Sequence, residues 1–372
     1  MNYGGTRKGT ELKGISSGDV GINAAVMTGV TKRFETVTAN ENVDFELRER
    51  EIHALLGENG AGKTTLMNIL YGLYQADEGE VYVRGRGVQI RSPRDAIEHG
   101  IAMVHEHFSL VDVMTATENI VLGLKSPTPP LLNLEDAQAK VVELSQRYGL
   151  QVEPNAVIRE ISVGERQRVE LLKALYRNCS ILILDEPTSM LTPQESAALF
   201  KILRNMVQQG LSIVFITHKL PEALAVSDRI TVLRKGKVVH TVDAKYASEK
   251  ELANAMVGRE IADRLPKSPL DVHDIVASLR GVCSTSDEGT EVVKNVTLHV
   301  RSGEILGIAG VAGNGQKELI ECLMGLRKVT KGTISVGSRE CTNKPTKYVC
   351  ECGVGWIPED WYRGVVFELS VA

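Results

Sequence analysis

Residues 55–65 read LLGENGAGKTT, and this stretch decides the fold. It fits the pattern G-x-x-x-x-G-K-[ST], with Gly57 first, Gly62 and Lys63 in the middle and Thr64 last. Glycines let a loop adopt backbone angles closed to other residues and bring N–H groups against phosphate oxygens. The lysine supplies a mobile charge for the β- and γ-phosphates, and the threonine hydroxyl is a ligand for Mg²⁺. The stretch therefore predicts a phosphate-binding loop.

The segments on either side of this loop agree with that interpretation. Residues 52–56 read as a short buried strand and residues 65–70 as the start of a helix, whose N-terminus would face the anion. A glycine-rich turn that binds nothing is the alternative, and the strand–loop–helix order argues against it. The predicted ATP contacts are Gly57, Glu58, Asn59, Gly60, Ala61, Gly62, Lys63, Thr64 and Thr65.

Composition sets limits on the class of protein. The chain has 372 residues, enough for two domains, and 43% apolar with 24% charged residues is ordinary globular usage. A formal net charge of −4 does not indicate nucleic acid as a partner. No apolar run approaches the ~20 residues that span a bilayer, and the N-terminus lacks the apolar core of a signal peptide. We therefore expect a chain that is not exported and that reaches a membrane only through a partner.

The pattern of apolar residues divides the chain into four regions. Residues 1–22 contain six glycines and no apolar periodicity, which predicts a disordered extension. Residues 23–258 alternate strands and helices, as in an α/β sheet, with a mainly helical insert at about 108–175. Residues 259–272 carry two prolines among charges and are interpreted as a linker, and 273–372 form the last region.

This last region repeats the beginning of the first domain. Gly310 lies 253 residues after Gly57, and Asn295 lies 253 residues after Asn42. The constant offset indicates that a whole domain has been duplicated. The second phosphate loop is altered, because Gln316 and Lys317 stand where the first loop has its lysine and threonine. Since a lysine side chain cannot supply the hydroxyl ligand for Mg²⁺, we expect this second loop to bind nucleotide weakly and hydrolyse little.

An acidic pair follows the apolar run at residues 181–184. Asp185 at the strand tip can hold Mg²⁺ through water, and Glu186 can orient or deprotonate the attacking water. An acid pair at a helix entry is the alternative; its combination with a complete phosphate loop favours the catalytic interpretation.

A second anion site is indicated where Ser162, Val163, Gly164 and Glu165 precede a helix rich in arginine and leucine. A serine and a backbone N–H at a helix start can bind an anion. The segment resembles the L-S-G-G-Q signature of ATP-binding cassette ATPases, with valine for the first glycine and glutamate for the glutamine. Its place just upstream of the acidic pair strengthens this resemblance.

The resemblance assigns roles to three more residues. His218, at the end of the apolar run 213–216, resembles the switch histidine that contacts the γ-phosphate. Phe34 resembles the aromatic residue that stacks on adenine, with a core phenylalanine as the alternative. Glu106 stands where the family usually has a glutamine that senses Mg²⁺ and the attacking water. Its carboxylate keeps an oxygen ligand but adds a gross repulsion of roughly 3 kcal/mol at ~5 Å from the γ-phosphate, so we expect slower hydrolysis.

Residues 23–258 thus resemble a complete cassette ATPase domain, and 273–372 the start of a second. The layout is similar to the ATPase subunits of importers for simple sugars and nucleosides. Three segments most resemble the nucleoside branch: VHEHFSLVDVMTATENIVLG, ISVGERQRVELLKALYR and LDEPTSMLTPQE. The resemblance implies a P-loop fold with a mixed sheet and a helical subdomain, and ATP and Mg²⁺ as cofactors. It also implies a membrane permease and a separate solute-binding lipoprotein as partners, and a cytoplasmic, peripheral position on the inner face of the cell membrane.

The offset places a second signature and a second acidic pair near positions 414 and 438, beyond residue 372. In the family, cassette domains work head to tail, so the signature of one domain closes over the phosphate loop of the other. The expected arrangements are therefore a truncated or split product that needs a second-half polypeptide, or a dimer of first domains. A nucleotide-binding remnant with little hydrolysis is an alternative function. A cassette ATPase that acts on ribosomes or DNA is less favoured, because the chain has no long basic or coiled-coil insertion.

Overall fold

A computed structural model describes most of the chain, in two units: residues 1–262 and residues 263–372. The predicted extension at 1–22 and all but the first residue of the predicted linker at 259–272 lie outside the described residues. The described ranges are 23–124, 134–259, 274–286, 289–310 and 313–358.

The first unit alternates strands and helices. Its strands are β1 (Asn23–Phe34), β2 (Val37–Arg48), β3 (Ile52–Leu56), β4 (Glu78–Val83), β5 (Arg86–Val88), β6 (Ile101–Val104), β7 (Ile181–Asp185), β8 (Ser212–Thr217), β9 (Arg229–Arg234) and β10 (Lys237–Asp243). Its helices are α1 (Lys63–Leu70), α2 (Pro93–Glu98), α3 (Ala116–Val121), α4 (Leu134–Tyr148), α5 (Val163–Tyr176), α6 (Pro193–Gln208), α7 (Leu220–Val226) and α8 (Glu249–Val257).

Two sheets form the framework of this unit. The central sheet has the order β10-β9-β3-β8-β7-β6 and is parallel except for β10, which pairs antiparallel with β9. An antiparallel sheet has the order β2-β1-β4-β5. The central sheet confirms the predicted mixed sheet, and its apolar strands β3, β7 and β8 are buried along their whole length, as expected for parallel strands covered on both faces.

Alternate residues of the central strands enter different cores. Leu182 and Leu184 of β7 join a cluster with α3, α4 and α5, whereas Ile181 and Ile183 join a cluster with α1 and the antiparallel sheet. The first cluster contains the helices of the predicted insert at about 108–175, with α5 extending one residue further. Because β3, β8 and β7 are parallel neighbours, the loop after β3 and the carboxyl ends of β7 and β8 lie at the same edge of the sheet.

The second unit repeats the antiparallel sheet and two helices. Its elements are β11 (Ile275–Thr285), β12 (Glu291–Arg301), α9 (Gln316–Leu323), β13 (Val329–Val336), β14 (Arg339–Glu340) and α10 (Thr346–Glu351). The sheet order β12-β11-β13-β14 matches β2-β1-β4-β5. Helices α9 and α10 begin 253 residues after α1 and α2, the same offset that relates the sequences.

The repeat differs from the first unit at the counterpart of β3. Residues 305–309 lie at the expected offset but form no strand, and Ile305 is 97% exposed whereas its counterpart Ile52 is 0% exposed. Strand β3 receives its hydrogen bonds from β8 and β9. No strand of the described second unit pairs with residues 305–309.

Candidate active site

The loop between β3 and α1 depends on glycine at defined positions. Gly60 and Gly62 have φ values of 79° and 98°, in the left-handed region. A Cβ atom on Gly57 would lie 2.3 Å from the carbonyl oxygen of Leu233, and one on Gly62 would lie 2.3 Å from that of Ala39. The neighbouring backbone thus leaves no room for side chains, and the loop folds tightly over the N-terminus of α1.

Lys63, the first residue of α1, is held inside this loop. Its Nζ donates to the carbonyl oxygens of Gly57 (2.7 Å) and Glu58 (3.0 Å) and lies 4.0 Å from Oε1 of Glu186. Burial lowers the pKa of Lys63, while the nearby carboxylates oppose that shift. The ammonium group therefore stands between the loop and the acids.

Thr64 and Asp185 are joined directly. The hydroxyl of Thr64 donates to Oδ1 of Asp185 at 3.2 Å. Burial raises the pKa of Asp185 to about 6; the hydrogen bond from Thr64 opposes this shift, and the charges of Glu186 and Glu106 add to it. A buried carboxylate surrounded by other acids is stabilised by a cation.

The donor set fits Mg²⁺ bound together with phosphate. Within the described ranges, no group of three or more His, Cys, Asp or Glu side chains could hold a metal by itself. Mg²⁺ is commonly held by one or two carboxylates together with substrate phosphates, which is the kind of site that Thr64 and Asp185 offer.

Glu186 occupies a strained backbone position beside the loop. Its φ of 46° lies in the left-handed region, and its N–H donates to the carbonyl oxygen of Ile216 at the end of β8 (3.1 Å). Its Oε1 lies 2.8 Å from Nδ1 of His218, whereas Oε2 is buried and has no hydrogen-bond partner. A buried carboxylate oxygen without a partner is costly, so this oxygen fits an incoming donor such as water.

One cavity of about 230 Å³ brings the predicted catalytic side chains together. Small-molecule pockets measure roughly 300–1,000 Å³, so this cavity suits the phosphate end of a nucleotide rather than all of it. Its lining residues are Asn59, Gly60, Ala61, Gly62, Lys63, Thr64, Thr65, Glu106, Glu186 and His218.

Phe34 and the signature segment do not line this cavity. Phe34 is 39% exposed at the end of β1, and its ring meets the edge of Tyr74 with centroids 5.1 Å apart. The alternative that it is a core phenylalanine is therefore wrong, and its adenine contact stays a prediction. Ser162 caps α5: its hydroxyl accepts from the N–H of Glu165 and donates to Oε2 of that residue (2.7 Å). The hydroxyl and the backbone N–H of Ser162 both donate to the carboxylate of Glu165 and lower its pKa.

Two contributions to the site were missed by the sequence interpretation. Asn40, fully buried on β2, donates from Nδ2 to the carbonyl oxygen of Gly62 (3.2 Å). This contact joins β2 to the loop before α1 and has no local sequence signal. The capping role of Glu165 did have one, because Ser-x-x-Glu before a helix is the pattern of a capping box.

The loop, the acidic pair and the mixed sheet define a phosphate-loop ATPase. A family model described as "ABC transporter" matches residues 40–189 and 293–368. The chain is 50% identical over 347 residues to the nucleoside import ATP-binding protein NupA of Lactococcus lactis subsp. cremoris, covering 93% of this chain and 69% of that protein. It is 44% identical over 374 residues to the glucose import ATP-binding protein TsgD13 of Haloferax volcanii, covering 93% and 68%.

Among solved structures, a dimeric bacterial ABC transporter cassette matches with a TM-score of 0.53 and 26% identity, covering 59% of this chain and 98% of that one. The chain therefore belongs to the ABC transporter family of ATP-binding cassette ATPases. No helix in the parts of the chain that the structure describes is long and apolar enough to cross a bilayer.

Proposed function

We propose that this chain is the ATP-hydrolysing subunit of an importer for nucleosides or simple sugars. The observation that carries the proposal is the single cavity shared by the phosphate loop, Glu186 and His218. A nucleotide bound by the loop would place its terminal phosphate in the cavity that Glu186 lines.

In the proposed mechanism, the loop N–H groups and Lys63 bind the phosphates. Glu186 Oε2 accepts a proton from the attacking water, and the hydrogen bond to His218 holds the carboxylate in place. Thr64, Asp185 and Glu106 would hold Mg²⁺, which neutralises charge on the transferred phosphoryl group. Because Glu106 adds a negative charge at this cavity, we expect slower turnover than with glutamine at that position.

The proposed partners are a membrane permease and a separate solute-binding protein, with the chain peripheral on the inner face of the cell membrane. The names of these relatives support import, of nucleosides for NupA and of glucose for TsgD13. The higher identity to the nucleoside importer favours nucleosides as the transported solute.

We further propose that a signature segment from another domain completes the cavity. Two observations support this: Ser162 and its neighbours do not line the cavity, and a solved relative is dimeric.

The decisive experiment is steady-state ATP hydrolysis by the wild type and by Glu186→Gln at micromolar protein. We expect a loss of about 100-fold or more in turnover with unchanged ATP binding, as for removal of a general base. The exposed Glu143 of α4 supplies a matched control, Glu143→Gln, which should turn over ATP at the wild-type rate. Equal turnover in the wild type and Glu186→Gln would favour the alternative, a nucleotide-binding remnant in which Glu106 suppresses hydrolysis.

A further inference from the structure

Two side chains of α5 form hydrogen bonds with the loop that carries Glu106. This loop leads from β6 towards α3, and Ser109 lies three residues after Glu106. The N–H of Ser109 donates to Oε1 of Glu170 (2.6 Å), and Nζ of Lys173 donates to the carbonyl oxygen of Ser109 (2.9 Å). Both backbone polar groups of one residue are therefore bound by side chains of one helix.

The two side chains that bind Ser109 lie on the same face of α5. Glu170 and Lys173 are three residues apart on α5 and so share one face of the helix. Glu170 is only 7% exposed, and a buried carboxylate is costly unless it is hydrogen-bonded. Packing alone would be served by an apolar side chain at this position, so the carboxylate is best explained by its bond to the loop.

A second attachment holds the same loop two residues further on. Asn119 of α3 is 0% exposed; its Oδ1 accepts from the N–H of Val111 (2.7 Å) and its Nδ2 donates to the carbonyl oxygen of Val111 (3.1 Å). Beyond Ser109 the loop therefore follows the helical layer.

Before Glu106, the loop contacts the other layer. The ring of His105 meets that of Tyr71, just after α1, with centroids 6.0 Å apart. His105 also lines a cavity with Glu170 and Lys173, so Glu106 lies between His105, which faces both Tyr71 and α5, and Ser109, which is bound by α5.

Helix α5 also carries the signature serine. Ser162 caps its N-terminus, and Glu170 lies eight residues later, about 12 Å along the helix axis. A helix is stiff over this length, so a displacement of its signature end is transmitted to Ser109 and to the loop of Glu106.

We infer that Glu170 and Lys173 are positioning residues that set the place of the Glu106 carboxylate at the phosphate cavity according to the position of α5. This inference rests on the proposed hydrolysis at the first phosphate loop. It links the occupancy of the signature, at one end of α5, to the chemistry that takes place at Glu106.

The test compares single-turnover and steady-state hydrolysis of Glu170→Ala in two backgrounds, wild type and Glu106→Ala. In the wild-type background we expect kcat to fall about tenfold with KM unchanged, since small misplacements of catalytic groups cost this much or more. Glu170→Gln, which keeps the oxygen acceptor, should restore kcat to within about twofold, and Glu143→Ala on α4 should match the wild type.

In the Glu106→Ala background, Glu170→Ala should have no further effect, because no carboxylate is left to position. A loss of equal size in both backgrounds would show a merely structural role and overturn the inference, as would an unchanged kcat in the wild-type background.

Hydrogen exchange separates this inference from the proposed function. If the wild type hydrolyses no ATP, the proposed function fails. The attachment of the loop to Glu170 and Lys173 is then tested by amide exchange of residues 105–111 with and without ATP. We expect exchange at least about tenfold faster in Glu170→Ala and unchanged exchange in Glu143→Ala. Equal exchange in the wild type and Glu170→Ala would refute the claim that Glu170 holds this loop in place.

Discussion

The helix starts after the two phosphate loops share their backbone geometry and differ in chemistry. Each helix that follows is eight residues long, and each is capped by a left-handed glycine, Gly62 with φ 98° and Gly315 with φ 94°. The first loop places a lysine and a threonine at the helix start, and the second places Gln316 and Lys317 there. The left-handed glycine is thus common to both helix starts, whereas the lysine and threonine to which we assign the phosphate chemistry occur only in the first.

The surroundings of the two loops differ as well. The first cavity, about 230 Å³, contains Glu106, Glu186 and His218. The second, about 650 Å³, is lined largely by small and aliphatic residues of β12 and of the loop before α9, with no counterpart of the acidic pair among its described residues. The described linings of the two cavities therefore differ in chemistry.

The largest expected difference between the loops is in ATP binding. Lys63→Ala should weaken ATP binding by about 30-fold or more, since truncating one partner of a desolvated charge pair costs about 2–5 kcal/mol. The matched change Gln316→Ala should leave the affinity unchanged. Isothermal titration with a non-hydrolysable ATP analogue measures both; an equal loss in the two variants would break the comparison.

The next expected effect is on the pH dependence of the free energy of unfolding, and it arises from Asp185 in the first unit. A carboxyl group whose pKa is raised by folding, as for Asp185 at about 6, adds stability below its unfolded pKa near 3.8 and loses it as pH rises through about 6. Asp185→Asn removes this titration, so in nucleotide-free protein at pH 8 it should raise the free energy of unfolding by up to about 3 kcal/mol. Urea unfolding from pH 4 to pH 8 tests this, and a gain that does not change with pH would contradict it.

A third experiment gives the second loop the lysine and threonine of the first. In a Lys63→Ala background, the double change Gln316→Lys and Lys317→Thr should tighten nucleotide binding by about tenfold, because it restores the charge and the hydroxyl on an existing cradle. Gln316→Lys alone is the control for charge and should give a smaller gain in the presence of Mg²⁺. No gain from the double change would mean that the backbone of the second loop is not a working cradle.

The smallest expected effect is that of Glu106→Gln. Mg²⁺ offsets much of the gross repulsion between this carboxylate and the γ-phosphate, so we expect turnover to rise only about threefold. Steady-state hydrolysis with Glu143→Gln as the control measures it. An unchanged rate would show that the charge of Glu106 is not what limits hydrolysis.

The sequence predicted what depends on local pattern. The strand–loop–helix unit around Lys63 and the apolar strands β7 and β8 could be located because glycine spacing and apolar runs are properties of neighbouring residues. The offset of 253 residues predicted a duplicated domain, and α9 and α10 begin at that same offset from α1 and α2.

What the sequence could not predict depends on partners far along the chain. The hydrogen bond from the N–H of Ser109 to Glu170 joins residues 61 positions apart, and the one from Asn40 to Gly62 joins β2 to the loop before α1. The exposure of Ile305 follows from strand pairing, which is decided by other segments and not by the apolar character of 305–309 itself.

The capping box at the start of α5 has a consequence for the proposed head-to-tail pairing. The hydroxyl proton of Ser162 is already donated to Glu165, so a phosphate arriving from another loop must compete with the helix's own cap for it. Breaking such a cap costs about 1 kcal/mol, and the carboxylate that forms it also repels the incoming anion. In the proposed pairing, Ser162 would exchange an internal acceptor for an external one, and the carboxylate of Glu165 would favour the internal one.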